Sequence, residues 1–335
     1  MVYDRYYYSI LPKADQQIYR SMYHGIEKMQ KTFTFFNNPN SQYPLGRVLY
    51  FIGLDNPHLF YVDFHCCSIS ETPISKTIEL TYWYSRDEIA ILKAKVDTIL
   101  GKMLSHIKGK TEYEKELAIH DMLASNVTYN FGATEHPYQY APRASSIIGV
   151  LFYKTATCGG ISMAAKMLLN LCDIKCIVAE GTAHSSEEAH AWNIVKIEGT
   201  AYHLDITWDI NASSQAWISH DYFNLTDRDI LKDHSPAVRY PECNSTKYNF
   251  YRQNGLCVND EQDISKLISS MKMQGKRVLT FRYIGDNQMK FKSLVKIAGQ
   301  QLAATVSPSP NKSVQLSSYI NHELFICSMA LKGKN

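Results

Sequence analysis

No apolar run in the chain reaches the ~18 residues that a membrane-crossing helix needs, and Met1-Val2-Tyr3-Asp4-Arg5 offers neither the basic nor the apolar region of an export signal. The sequence therefore predicts no integral membrane segment. It predicts a cytoplasmic protein if Met1 is the native start, and a secreted or cell-surface one if a leader was removed. Basic runs are missing too: 35 Lys and Arg against 32 Asp and Glu leave a net charge of +3 spread along the chain, which gives a nucleic acid no footprint. No glycine-rich loop that could cradle a phosphate occurs, and no cofactor is expected. The eight cysteines (Cys66, Cys67, Cys158, Cys172, Cys176, Cys243, Cys257 and Cys327) follow no regular spacing, so a disulfide framework is not expected and most read as buried thiols. His184, His190, His203 and Cys158 could be drawn as a zinc set, but no pair has the short spacing of a zinc motif, and no metal is predicted. Internal repeats and low-complexity tracts are absent as well.

What is present is material for a large core. With 45% apolar and 20% charged residues in 335, the chain can hold a central domain with accessory segments of roughly 100 residues each. Its 23 tyrosines read as β-rich packing. Ile18, Met22, Ile26 and Met29 mark one face of a helix over 14–33. A short helix at 48–54 and strands at 59–64 and 77–84 follow. Ser85-Arg86-Asp87-Glu88 and Thr111-Glu112-Tyr113-Glu114 are capping boxes, which predict one helix to near Lys108, closed by Gly109, and another to near Ser125. Residues 131–146 read as a loop. Ile161, Ala164, Ala165, Leu168 and Cys172 form an amphipathic stripe, so a helix of about 15 residues starts at or just before Cys158. Strands at 175–179, 190–197 and 201–207 follow, the last two joined through Glu198-Gly199 as an antiparallel hairpin, with a short strand at 221–225. Past Pro241 the expectation is a helix at 264–273, strands at 277–283, 290–297 and 323–329, and a loop at 307–310.

Chemistry concentrates between Cys158 and Asp209. A cysteine at a helix N-terminus sits in the positive end of the helix dipole beside unsatisfied N–H groups, and both favour the thiolate. The same N–H groups can face the oxyanion of a tetrahedral intermediate. Such a nucleophile needs an imidazole to pair with it and to protonate a leaving amine, and a carboxylate to hold that imidazole's tautomer. His190 and Asp205, on the two arms of the predicted hairpin, can be set side by side by strand pairing. Gly159 and Gly160 weaken the helix start but let another backbone or a substrate come close. Trp192 and Trp208 read as packing for the hairpin, and Glu187-Glu188 as a solvated turn that could border a cleft and favour basic substrates.

Three strings carry a family resemblance: Cys158-Gly159-Gly160-Ile161-Ser162-Met163-Ala164, His190-Ala191-Trp192-Asn193 and Asp205-Ile206-Thr207-Trp208. Together they resemble the transglutaminase-like superfamily over about residues 112–235. Ile119-His120-Asp121, Tyr129 and Tyr222-Phe223-Asn224-Leu225-Thr226-Asp227 look like its bacterial members. The residue before the family cysteine is usually a valine after a glycine; here it is Thr157 after Ala156. The resemblance implies an α+β fold with a papain-like core, a cysteine-bearing helix packed on an antiparallel sheet. It also implies that Cys158 is nucleophile, His190 general base and acid, and Asp205 the orienter. For the second oxyanion donor Tyr153 is the candidate. The chain then divides into an α/β accessory region (1–110), a catalytic core (111–240) and a mostly β C-terminal accessory region (241–335).

The implied function is amide chemistry through a thioester, by a peptidase or amidase with protein or peptide substrates. Hydrolysis is the default, because crosslinking additionally needs a cleft that excludes water and admits an amine. A protein-crosslinking transglutaminase with the same triad is the first alternative, and a non-catalytic interaction module on the same fold the second. No residue reports an oligomeric state.

Overall fold

Both capping boxes form. Ser85 Oγ accepts the Glu88 N–H while the Glu88 carboxylate accepts the Ser85 N–H, and Thr111 and Glu114 make the same exchange. The structure, a computed structural model, describes residues 4–107, 110–135, 143–183, 188–305 and 315–331. Gly109, His184, Glu187 and the 307–310 segment lie outside the described residues.

The chain begins with α1 (Tyr6–Ile10), α2 (Lys13–Glu27), β1 (Thr32–Phe36), α3 (Leu45–Asp55), β2 (Val62–Glu71), β3 (Ser75–Tyr82), α4 (Arg86–Ser105) and α5 (Glu112–Asn126). The three strands make a small antiparallel sheet, ordered β1-β3-β2. Next come α6 (Cys158–Leu171), β4 (Lys175–Ala183), β5 (Ala189–Ile197), β6 (Thr200–Leu204), α7 (Ile206–Ala212), β7 (Phe223–Leu225) and β8 (His234–Pro236). These five strands form an antiparallel sheet ordered β8-β4-β5-β6-β7, and α6 packs on β4 and β5. This is an α+β core in which the cysteine-bearing helix lies across an antiparallel sheet. Last come β9 (Cys257–Val258), α8 (Glu261–Met273), β10 (Val278–Tyr283), α9 (Gln288–Ala304), β11 (Leu316–Asn321) and β12 (Ile326–Leu331), with sheet order β9-β10-β12-β11.

Burial shows how these pieces depend on one another. One hydrophobic core runs from Tyr7 to Cys243, so the N-terminal region and the five-stranded sheet share it. The C-terminal region has a core of its own from Val258 to Met329, and a small cluster of Tyr222, Leu225, Ile230, Tyr251, Leu324 and Ile326 joins the two. The N-terminal segment also seals the back of α6. Lys166, on that helix, is fully buried and donates to the carbonyls of Asp4 (2.7 Å) and Cys176 (2.5 Å), while the Tyr7 hydroxyl donates to the Val178 carbonyl at 2.6 Å.

Several expectations need correction. The first helix ends at Glu27, and Thr32–Phe36 is already a strand. The strand expected at 59–64 starts at Val62, after a single 3-10 turn at Pro57–Leu59. Residues 290–297 belong to α9, whose Asn287 side chain caps the Lys290 N–H and whose Phe291, Leu294, Ala298 and Leu302 are buried at helical spacing. With α8 and α9 in place the C-terminal region is α/β, not mostly β. Asp205 lies just past β6 rather than on it, because its carboxylate accepts the Trp208 N–H and opens α7 as N-cap.

Candidate active site

Cys158 is the first residue of α6, after Thr157 in extended conformation. Of the two glycines behind it, only Gly160 is demanded by packing. A Cβ there would stand 2.4 Å from the Ala144 carbonyl oxygen and 3.0 Å from that of Ser146, whereas one on Gly159 would meet nothing closer than 3.9 Å. The 143–146 turn thus presses on the helix start at Gly160, and Gly159 stays open to the cleft. The helix is then keyed to β5: Ser162 Oγ donates to the Ala191 carbonyl (3.1 Å), and the buried Asn193 amide donates to the Ser162 carbonyl (3.0 Å). These bonds fix the register that puts Cys158 against His190.

His190 lies on β5 opposite Gly181 of β4, with its side chain 8% exposed. Its Nε2 is 2.6 Å from Asp205 Oδ2. That leaves Nδ1 for the Cys158 thiol, with which the ring interacts. Burial opposes charge on all three groups, and their mutual interactions outweigh it. The Cys158 thiol is held below its usual range by its interaction with His190 and by the Ala191 N–H. His190 is raised to about 10 by the charge and hydrogen bond of Asp205, then by Cys158. Asp205, fully buried, is held well below the carboxylate range by His190 and then by His234. The three residues singled out from the sequence thus stand in contact, in an electrostatic setting that favours thiolate and imidazolium together.

The other candidates fall elsewhere. Trp192 is fully buried, stacks on the His190 ring (6.0 Å, 16°) and donates from Nε1 to His203 Nδ1 at 3.0 Å. The His203 ring proton is therefore on Nε2, which donates to Asp227 (2.9 Å). His203, Asp227 and Cys243 are close enough to hold an ion, but a cation on Nε2 would push that proton toward the opposing indole N–H. Trp208 lies between His190 and His234, with ring centroids 6.2 and 4.5 Å away. Tyr153 is half exposed beneath the Arg143 guanidinium (5.1 Å) and does not line the cleft. Glu188 is exposed beside the start of β5. All eight cysteines are free: Cys176, Cys243 and Cys327 are buried, Cys66 is exposed and the rest are half-buried.

Two functional candidates were missed. The Tyr129 hydroxyl lies near enough to Cys158 to feel it, and burial followed by the thiolate's charge raises this phenol to about 12. Sequence alone offered it only as part of a familiar string. His234 sits on the far side of Asp205, which no spacing rule foretold. Cys158, His190 and Gly159 open into a cavity of about 590 Å³ whose opposite wall comes from the N-terminal region, with Leu54, Phe60, Phe64 and Trp83. Two acidic groups among the described residues line the cavity: Asp63, whose Oδ1 accepts the His65 and Cys66 N–H groups at 3.0 Å each, and Glu180, which is tied up by the Tyr50 hydroxyl and by Arg47 at 3.6 Å.

No curated protein matches the chain. Among solved structures, a crystal structure of a TGase aligns at 17% identity over 46% of this chain and 46% of that one, with a TM-score of 0.31. A candidate cysteine protease from Cytophaga hutchinsonii aligns at 16% identity over 42% of this chain and 61% of its own, with a TM-score of 0.28. The chain thus spans about half the length of these relatives. Menin aligns at 13% identity over 90% of this chain and 59% of its own, with a TM-score of 0.28. The model of the transglutaminase-like superfamily matches residues 102–221, which include Cys158, His190 and Asp205. Residues 102–221 are a transglutaminase-like domain.

Proposed function

We propose that this protein is a cysteine hydrolase that cleaves an amide bond of a protein or peptide through a thioester on Cys158. The observation that carries the reading is the His190–Asp205 bond at 2.6 Å through Nε2, which turns Nδ1 of a largely buried imidazole toward a thiol at a helix start. Cys158 Sγ attacks the carbonyl carbon, and the oxyanion forms beside the first N–H groups of α6 and the Tyr129 hydroxyl. The C–N bond breaks as His190 delivers its proton to the leaving amine. Water then gives its proton to His190 and adds to the thioester, the C–S bond breaks, and acid and free cysteine are released. Asp205 keeps the ring in the orientation that serves both transfers. The apolar wall opposite Cys158 suits an apolar side chain on the acyl side of the scissile bond.

The test is alkylation with iodoacetamide at pH 6 to 7, followed by mapping of modified cysteines and by peptide-library cleavage with wild type and Cys158→Ala. Cys158 should alkylate far ahead of exposed Cys66 and lose that lead in His190→Ala, and cleavage should vanish in Cys158→Ala. A Cys158 no more reactive than Cys66 refutes the proposal. Amide products with an added primary amine would move the assignment from hydrolase to transferase.

A further inference from the structure

We propose that His234 is a positioning residue for this site: held as an imidazolium between Asp233 and Asp205, it pins the Asp205 carboxylate and supplies a positive charge that favours the Cys158 thiolate. The proposal rests on reading Cys158, His190 and Asp205 as one catalytic unit.

Hydrogen-bond directions carry the argument. His234 Nε2 lies 3.1 Å from Asp205 Oδ2, the oxygen that His190 also uses, and His234 Nδ1 lies 2.6 Å from Asp233 Oδ1. A neutral imidazole has one N–H, so its bare nitrogen would point its lone pair at a carboxylate oxygen; only the doubly protonated ring satisfies both contacts. The alternative, a proton on Asp233, is opposed from behind. The Tyr222 hydroxyl, which accepts from the Asn321 amide (3.3 Å), donates to Asp233 Oδ2 at 2.6 Å, and such a short bond is stronger to a carboxylate than to a neutral acid, so it favours the ionised form of Asp233. Asp205 is an acceptor throughout, taking the Trp208 N–H on Oδ1 and both rings on Oδ2.

The surroundings hold the ring in place. His234 is fully buried, with the Trp208, Trp192 and Tyr222 rings centred 4.5, 5.2 and 5.7 Å away. The titratable groups facing it are Asp205 from the turn after β6, Asp233 from its own segment, His190 from β5, His203 from β6 and Tyr222. His203 is neutral, by the tautomer that Trp192 imposes. The two carboxylates raise His234 above its ordinary range despite burial. Its strand, β8, reaches the sheet because Gly181 has no side chain: a Cβ there would stand 2.1 Å from the Ser235 carbonyl oxygen.

The test combines ring nitrogen NMR on protein labelled with 15N-histidine and the pH dependence of iodoacetamide alkylation at Cys158, in wild type, His234→Gln and Asp233→Asn. In wild type both nitrogens of the signal lost in His234→Gln should stay protonated up to pH 8. Removing the nearby positive charge should move the alkylation inflection up by about 1 pH unit in His234→Gln, and in the same direction in Asp233→Asn, which keeps the ring. A singly protonated His234 at pH 7 overturns the proposal, as does an inflection that stays put in both variants, since a packing role alone would lower the rate without moving it. If wild-type Cys158 is no more reactive than Cys66, the catalytic reading fails, and with it the role of His234; the ring protonation then still reports its charge.

Discussion

Gly159 and Gly160 are neighbours in the first turn of one helix, yet alanine should act on them with opposite signs. Helix propensity alone favours both changes, by up to about 1 kcal/mol each, with less in a first turn than in a helix interior. At Gly159 the new methyl has ordinary contacts, the nearest atom being the Ser145 carbonyl oxygen at 3.9 Å, so the propensity gain should stand. At Gly160 the methyl would sit 2.4 Å from the Ala144 carbonyl oxygen and 3.0 Å from both the Ser146 oxygen and the Ala156 Cβ. Two of those atoms are backbone, so the turn must move; overpacking of this kind costs about 1–3 kcal/mol, more than the propensity gain. The expected outcome is Gly159→Ala slightly more stable than wild type and Gly160→Ala less stable, the two separated by about 2 kcal/mol. Urea unfolding followed by tryptophan fluorescence reads this cleanly, because Trp83, Trp192, Trp208 and Trp217 all precede the C-terminal core that begins at Val258. Both variants shifting the same way would show that the 143–146 turn yields freely, and would remove the steric account of Gly160.

Two further outcomes test the chemistry and the core. Tyr129→Phe should lower turnover about 10²–10³-fold, the usual cost of one oxyanion donor, while Cys158 remains alkylated ahead of Cys66; unchanged turnover would exclude the phenol from that role. Glu116, fully buried with only the Asn224 amide on one oxygen, is raised to about 8 by burial. A carboxyl raised in the folded state contributes stability that is complete below its unfolded value, near 4.5, and is lost as pH climbs toward 8. Glu116→Gln should therefore lose less stability than wild type between pH 5 and 8 in urea titrations, and parallel losses would refute the assignment.

Features set by near neighbours in the chain were legible in advance. The capping boxes at Ser85 and Thr111 are four-residue events, and the Glu198-Gly199 hairpin turn has positive φ at both residues (48° and 82°), the geometry a tight hairpin requires. The cysteine, histidine and aspartate strings were equally legible because each carries its own packing. In the histidine string, Trp192 backs the ring and Asn193 ties the strand to α6. What escaped was decided at a distance. Lys290 to Ile297 alternates like a strand, but the Asn287 cap and the buried face of α9 make it a helix. Asp205 looked like a strand residue because its role as a cap depends on a chain reversal after it. His234 and Tyr129 reach the site from strands of three and two residues, too short to announce themselves.

The segment behind α6 bears on how the molecule could be divided. The family match begins at residue 102, but the ammonium of Lys166 finds one of its two acceptors at Asp4. A fragment cut at the family boundary would leave that amine short of a partner in an opened interior, beside the bared surfaces that Val48 and Ile52 now cover. The stretch that heredity recognises is therefore shorter than the stretch that can fold. An engineer exchanging pieces among such proteins should keep the first hundred residues with the cysteine helix and treat the part beyond Val258, which carries its own core, as the exchangeable one.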